Sequence, residues 1–263
     1  MKFIFLPFFL LVSSCSYIEL VFNKPKKSKV TSSKNYTLSP RQKLFFLTDK
    51  SGEFLQERSS AFKQKTRELI VKGQVFPTNQ DIEKPLERFI TISKAQNKSD
   101  FGYLRPVVSQ FSVWFDGQKY FSEIRFSKDL KKATIKMKSP ERKWNGEREI
   151  EISKNNKAFC FFTQVIECAH YMGFLKKSKS SNSGTMNFSL IWDGYPYFQE
   201  QYLNIPNEII SNASLSYDGK SDEGLVRYKL NVGRQVLFFM VDRTNRLAKK
   251  FWVSQGFSLI QKE

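Results

Sequence analysis

Three cysteines and a single histidine are the side chains of this 263-residue chain best suited to covalent or metal chemistry, and their surroundings differ. Cys15 closes the run Val12-Ser13-Ser14-Cys15, directly after an apolar stretch. Two small residues before a thiol let a peptidase reach the peptide bond and leave the sulfur open to acylation. Cys160 and Cys168 stand eight residues apart in the apolar segment 158–175, which also holds His170. On a straight α-helix that spacing puts the Cα atoms ~12 Å apart, whereas bridged cysteines need ~7 Å or less. A disulfide therefore requires the segment to bend, and two free buried thiols are the alternative. A lone histidine without a close cysteine pair makes no zinc site, so His170 reads as structural and no metal is expected. The chain holds no Gly-rich phosphate loop, Gly-x-Ser-x-Gly elbow or His-Glu-x-x-His helix. Accordingly it is not read as an enzyme, and neither a catalytic residue nor a cofactor is assigned.

The chemistry at Cys15 depends on what precedes it. Met1-Lys2 is positive, and Phe3 to Val12 is apolar apart from Pro7. Ten helical residues span ~15 Å, half of a ~30 Å hydrocarbon core, so residues 1–14 read as a signal peptide and not as an anchor. Val12-Ser13-Ser14-Cys15 resembles the lipobox of bacterial lipoproteins. That resemblance implies a lipid on Cys15, and Ser16 in place of Asp favours the outer membrane over the inner. The expected location is the bacterial cell envelope, in a compartment that permits a Cys160–Cys168 bridge.

Residues 15–38 read as the lipidated cysteine and a flexible tether. Lys24, Lys26, Lys27, Lys29, Lys34, Arg41 and Lys43 come with no acidic residue between them. Such a segment favours an anionic surface, with each cation contributing ~1 kcal/mol when close to it. The whole chain carries a formal charge of +18, which draws it to anionic lipid, acidic glycan or nucleic acid. Export excludes nucleic acid as the expected partner. A membrane and an anionic envelope surface remain.

The elements beyond the tether must position whatever the domain does. Ser39-Pro40 reads as the start of a helix through Leu44, Phe45 and Leu47, and Leu55, Phe62, Thr66, Leu69 and Ile70 recur at helix-compatible spacing, although Glu68 to Phe76 could equally be a strand. With a further short helix over 81–94, residues 39–106 are expected to be mostly helical. From 107 to 263 the period becomes two, giving an antiparallel β domain with a central helix near 158–175. Lys136 and Lys138 are expected opposite Glu149 and Glu151 on a solvated face. Residues 176–184 read as a loop. Val236 to Val241 is apolar on both faces, so each side should be covered.

An internal repeat supports hairpins. Residues 111–123 align with 188–200 without gaps, and seven of thirteen positions are identical. Each copy carries Asp-Gly, a tight-turn signal. Asp116 and Asp193 thus read as turn residues and not as a paired acidic site, with Asp218-Gly219 as a third such turn.

The fold expected is α+β: a curved antiparallel sheet, a half-barrel or open barrel, packed on a helix and preceded by N-terminal helices. In this it is similar to periplasmic lipoprotein carriers of the LolA/LolB kind. That resemblance implies an apolar groove for a lipid or glycolipid, with Trp114, Phe115, Trp192, Phe238, Phe239 and Trp252 as candidate lining. The alternative is a structural or partner-binding lipoprotein with a filled core and no small-molecule ligand.

Overall fold

Alternation of inward and outward side chains, with period two, organises nearly the whole domain. The computed structural model describes residues 42–78, 85–96, 104–152 and 158–262. The signal peptide, Cys15, the tether and Ser39-Pro40 lie outside the described residues.

The helical reading of 39–106 is overturned. Strands β1 (Gln42–Asp49), β2 (Gly52–Lys63), β3 (Glu68–Pro77) and β4 (Glu87–Ala95) occupy it, followed by β5 (Leu104–Phe115). Phe45 and Leu47 are buried while Phe46 between them is 37% exposed, a strand period that the helix-compatible spacing masked. In β4 the same alternation turns Glu87, Phe89, Thr91 and Ser93 to one side. Aromatic and β-branched residues suit such a surface better than a helix.

The chain continues through β6 (Gln118–Phe126), β7 (Lys132–Lys138), β8 (Gly146–Glu151) and β9 (Phe159–Phe161). After β10 (Thr185–Ile191) come β11 (Ile210–Lys220), β12 (Val226–Val232), β13 (Gln235–Val241), β14 (Leu247–Trp252) and β15 (Phe257–Gln261). Among the described residues these form one 15-stranded sheet in the order β8 to β1, then β15 back to β9. Neighbours are antiparallel except β9 and β10. The first and last strands pair in the middle, Phe46 opposite Ile260, joining two meanders.

This corrects the expected architecture. The helices are short: α1 (Val165–Tyr171), α2 (Phe174–Ser181) and α3 (Tyr197–Gln201). Among the described residues none precedes the sheet, and these short helices do not make a second layer. Instead the sheet coils on itself and its far edge returns to the inner side of β4–β6. Phe161 in β9 meets Phe126 with ring centroids 5.9 Å apart. Ser93 Oγ donates to Gln164 Oε1 at 2.7 Å, and Gln164 Nε2 donates to the Thr91 carbonyl at 2.9 Å. The segment after β9 is a plug fastened by its own polar groups.

Several local expectations change as well. Residues 158–175 are strand, 3-10 turn and then α1, and α2 replaces the loop expected at 176–184. Gly173, with φ +75°, separates the two helices. Lys136 lies opposite Glu147 and pairs with it at 3.2 Å, and Lys132 pairs with Glu149 at 2.6 Å, a different register from the expected one. The outer side of β13 is not covered as expected, for Val236 is 39% exposed there.

The repeat splits into two fates. Asp116 and Gly117 take positive φ and close the β5–β6 hairpin. The second copy leaves the sheet after Ile191 and enters α3, because Tyr195-Pro196 removes a strand donor and the Phe198 ring packs on Gly194. Asp218-Gly219 sits inside β11 at a register shift, not in a tight turn.

Candidate functional site

The interior of the coiled sheet is filled on one side and open on the other. Trp192 and Trp252 stack with centroids 6.2 Å apart, each within 1% of complete burial, and Phe162 packs on both. Beside this plug a cavity of about 270 Å³ opens between the β1–β2 turn and the β5–β6 turn. Its walls are largely apolar, with Phe89, Trp114, Phe162, Tyr202, Phe239 and Phe257 among them.

Of the six residues expected to line a groove, Trp114, Phe115 and Phe239 line this cavity. Trp192 and Trp252 belong to the plug, with their indole N–H groups donating to Ser211 Oγ at 3.0 Å and Gln235 Oε1 at 2.8 Å. Phe238 turns to the outer side, where Arg227 lies 5.9 Å from its ring centre. Cys160 and Cys168 are joined by a disulfide across 6.0 Å between Cα atoms. The bend this requires is the passage from β9 into α1. Cys15 lies outside the described residues.

Charged groups converge on the apolar cavity, and pattern reading did not single them out. Lys250 comes from β14 and places its ammonium 3.8 Å from the Phe162 ring centre, with Phe257 at 5.1 Å and Phe239 at 5.7 Å. Burial lowers its pKa to about 7, against the opposing pull of the Asp193 carboxylate. Glu87 opens β4 and lines the same cavity. Burial raises its carboxyl to about 8, with Asp193 adding to the rise and Lys250 opposing it.

Asp193 lies in a turn, as expected, yet its side chain is directed into the interior. The residue is 1% exposed, and its Oδ2 accepts from the backbone N–H of Thr163 at 3.2 Å and from the Thr163 hydroxyl. Its Oδ1 has no hydrogen-bond partner. Burial pushes the carboxyl up to about 6, with the Thr163 bonds holding it down. One signal in the sequence marks it: the second repeat reads Asp-Gly-Tyr-Pro where the first reads Asp-Gly-Gln-Lys.

Arg58 completes the set from β2. Its guanidinium meets the Glu167 carboxylate at 2.7 and 2.9 Å and donates to the Thr163 carbonyl at 2.9 Å. Arg58 lines the cavity, and Arg58 and Glu167 together line a second cleft beside the β2–β3 turn. Among the described residues no group of three or more His, Cys, Asp or Glu is placed to hold a metal ion. Nor is any described helix long and apolar enough to cross a membrane.

No family model matches the chain, and no curated protein does. Among solved structures it is similar to a β-barrel-like protein of a domain of unknown function from Brucella abortus. The match covers 84% of this chain and 94% of that one, with 10% identity and a TM-score of 0.41.

Proposed function

We propose that this chain is an envelope lipoprotein whose barrel interior receives the apolar part of an amphiphile, with the polar group of that ligand meeting Lys250 and Glu87. The observation that carries the reading is an aromatic-walled cavity holding ionisable side chains, Lys250 and Glu87, that make no ion pair with each other. Lys250 makes contact with three rings and forms no ion pair with any described carboxylate. A buried ammonium in such a place gains from a ligand that brings an anionic or hydrogen-bonding group.

Size narrows the ligand. At about 270 Å³ the cavity falls just below the ~300–1,000 Å³ usual for drug-sized molecules. One short acyl chain or ring system fits, while a whole phospholipid does not. The filled plug of Trp192, Phe162 and Trp252 favours the second reading, a purely structural barrel, in that half of the interior.

Native mass spectrometry of the full chain, followed by organic extraction, separates the two. An extractable amphiphile is expected to accompany the protein, and its occupancy should fall by about tenfold in Lys250→Met, a loss of ~1.4 kcal/mol in binding. A protein of bare polypeptide mass that takes up no fatty acid or lysolipid would leave the structural reading standing.

A further inference from the structure

We propose that Lys250 captures an apolar aldehyde in the lumen cavity as an imine, with Glu87 as the proton donor. The inference rests on the reading of that cavity as a ligand site and names the reactive group of the ligand.

Position is the first argument. Successive residues of β14 face opposite sides, and the two lysines there have different fates. Lys249 reaches Glu223, with Nζ 2.7 and 2.5 Å from its carboxylate oxygens. Lys250 is buried and lines the cavity with Phe162, Phe239 and Phe257, and no described carboxylate pairs with it. A lysine held in an apolar pocket is a stronger nucleophile than one fixed as an ammonium by an acid. Glu87 lines the same cavity without pairing with Lys250, which leaves room for a carbonyl group between them.

Charge selects the ligand. Besides Glu87, the buried Asp193 acts electrostatically on Lys250, and its Oδ1 has no hydrogen-bond partner. An anionic ligand would set a third acid beside one lysine, which like-charge repulsion disfavours. An aldehyde brings no charge, offers an acceptor oxygen and lays its carbon chain on the aromatic walls. Burial lowers the Lys250 ammonium to about 7 and raises the Glu87 carboxyl to about 8. Near neutrality this supplies both the free amine and the undissociated acid that condensation requires.

The step balances without an oxidant or reductant. The nitrogen lone pair adds to the carbonyl carbon, and the π pair moves to oxygen, which takes the Glu87 proton. The resulting carboxylate removes a proton from nitrogen, giving a carbinolamine. Glu87 then protonates the hydroxyl, which leaves as water while the C=N bond forms, and the carboxylate recovers the last N–H proton.

Hexanal with cyanoborohydride, which reduces an imine to a stable secondary amine, tests the proposal on the full chain by peptide mass mapping. At pH 7 a hexyl group is expected on Lys250 at least about tenfold faster than on Lys249. Lys249→Met should keep that capture, Lys250→Met should lose it, and Glu87→Gln should slow it at least about tenfold. Should the cavity variants fail to fold, the preference for Lys250 over Lys249 in the unaltered chain should vanish in urea. Calorimetric titration with hexanol, which lacks the carbonyl, separates this inference from the reading of the cavity. Hexanol binding with no preference for Lys250, a preference that persists in urea, or capture undiminished in Glu87→Gln overturns the imine and leaves the ligand site standing. Absence of both hexanol binding and hexanal capture overturns the two together.

Discussion

Glu87, Asp193 and Lys250 hold unlike charges in one apolar interior, and their pKa values shift toward neutrality from both sides. Folding raises Glu87 to about 8 and Asp193 to about 6, so both bind more protons in the native than in the unfolded state. Their contribution is present below the unfolded carboxylate range and is lost as pH rises through 6 and 8. Lys250 works in the opposite sense. Lowered to about 7, it binds fewer protons when folded, and its contribution appears only as pH climbs from 7 toward the unfolded lysine value. Stability measured by urea unfolding should therefore pass through a minimum between pH 7 and 8. In Glu87→Gln the decline on the acid side should flatten. In Lys250→Met the alkaline recovery should vanish, and an unchanged profile in both variants would refute this assignment.

At the scale of elements, the plug is what a sheet-first reading undervalues. Its chain segment is β9, the 3-10 turn at Phe162–Gln164 and α1, and Trp192 and Trp252 complete it by packing on Phe162. Thr163 reaches Asp193, Arg58 and Thr91 at once, the last at 3.3 Å between hydroxyl oxygens. The Cys160–Cys168 disulfide ties the strand of the plug to its helix. Closing a loop of that length contributes about 2 to 3 kcal/mol in the chain-entropy picture. The pair of substitutions Cys160→Ser and Cys168→Ser should lower the urea midpoint accordingly, and reducing agent should do the same to the native chain. The loss should extend to cavity occupancy, because Phe162 and Thr163 in the same plug line the cavity.

For the whole molecule, the proposed anchor would place the domain near a bilayer. Incorporation of a palmitate analogue in bacterial cells tests the anchor at Cys15. Label is expected in the full chain and should be absent from Cys15→Ala, with the variant released from the membrane fraction. Equal labelling of both would remove the lipid from that sulfur. The barrel itself is joined through β1 and β15, strands from the two ends of the described chain. Such long-range pairing closes late and costs loop entropy, which is why no local window of sequence announces it.

Read alone, the sequence established local chemistry: the strand period from residue 107 onward, the Asp116-Gly117 hairpin, the need for a bend if Cys160 and Cys168 were to meet, and the surplus of positive charge. Each of these depends on neighbours a few residues away. Only the tertiary structure decided that β1 to β4 are strands, since apolar residues at compatible spacing fit both periods until a partner strand satisfies the backbone. It alone distinguished Asp193 from Asp116, two members of one repeat, by burying the first against Thr163. Likewise it alone gathered Arg58, Glu87, Asp193 and Lys250 from positions scattered along the chain. Charged residues on alternating strands look like ordinary surface positions until the sheet coils and turns their side inward.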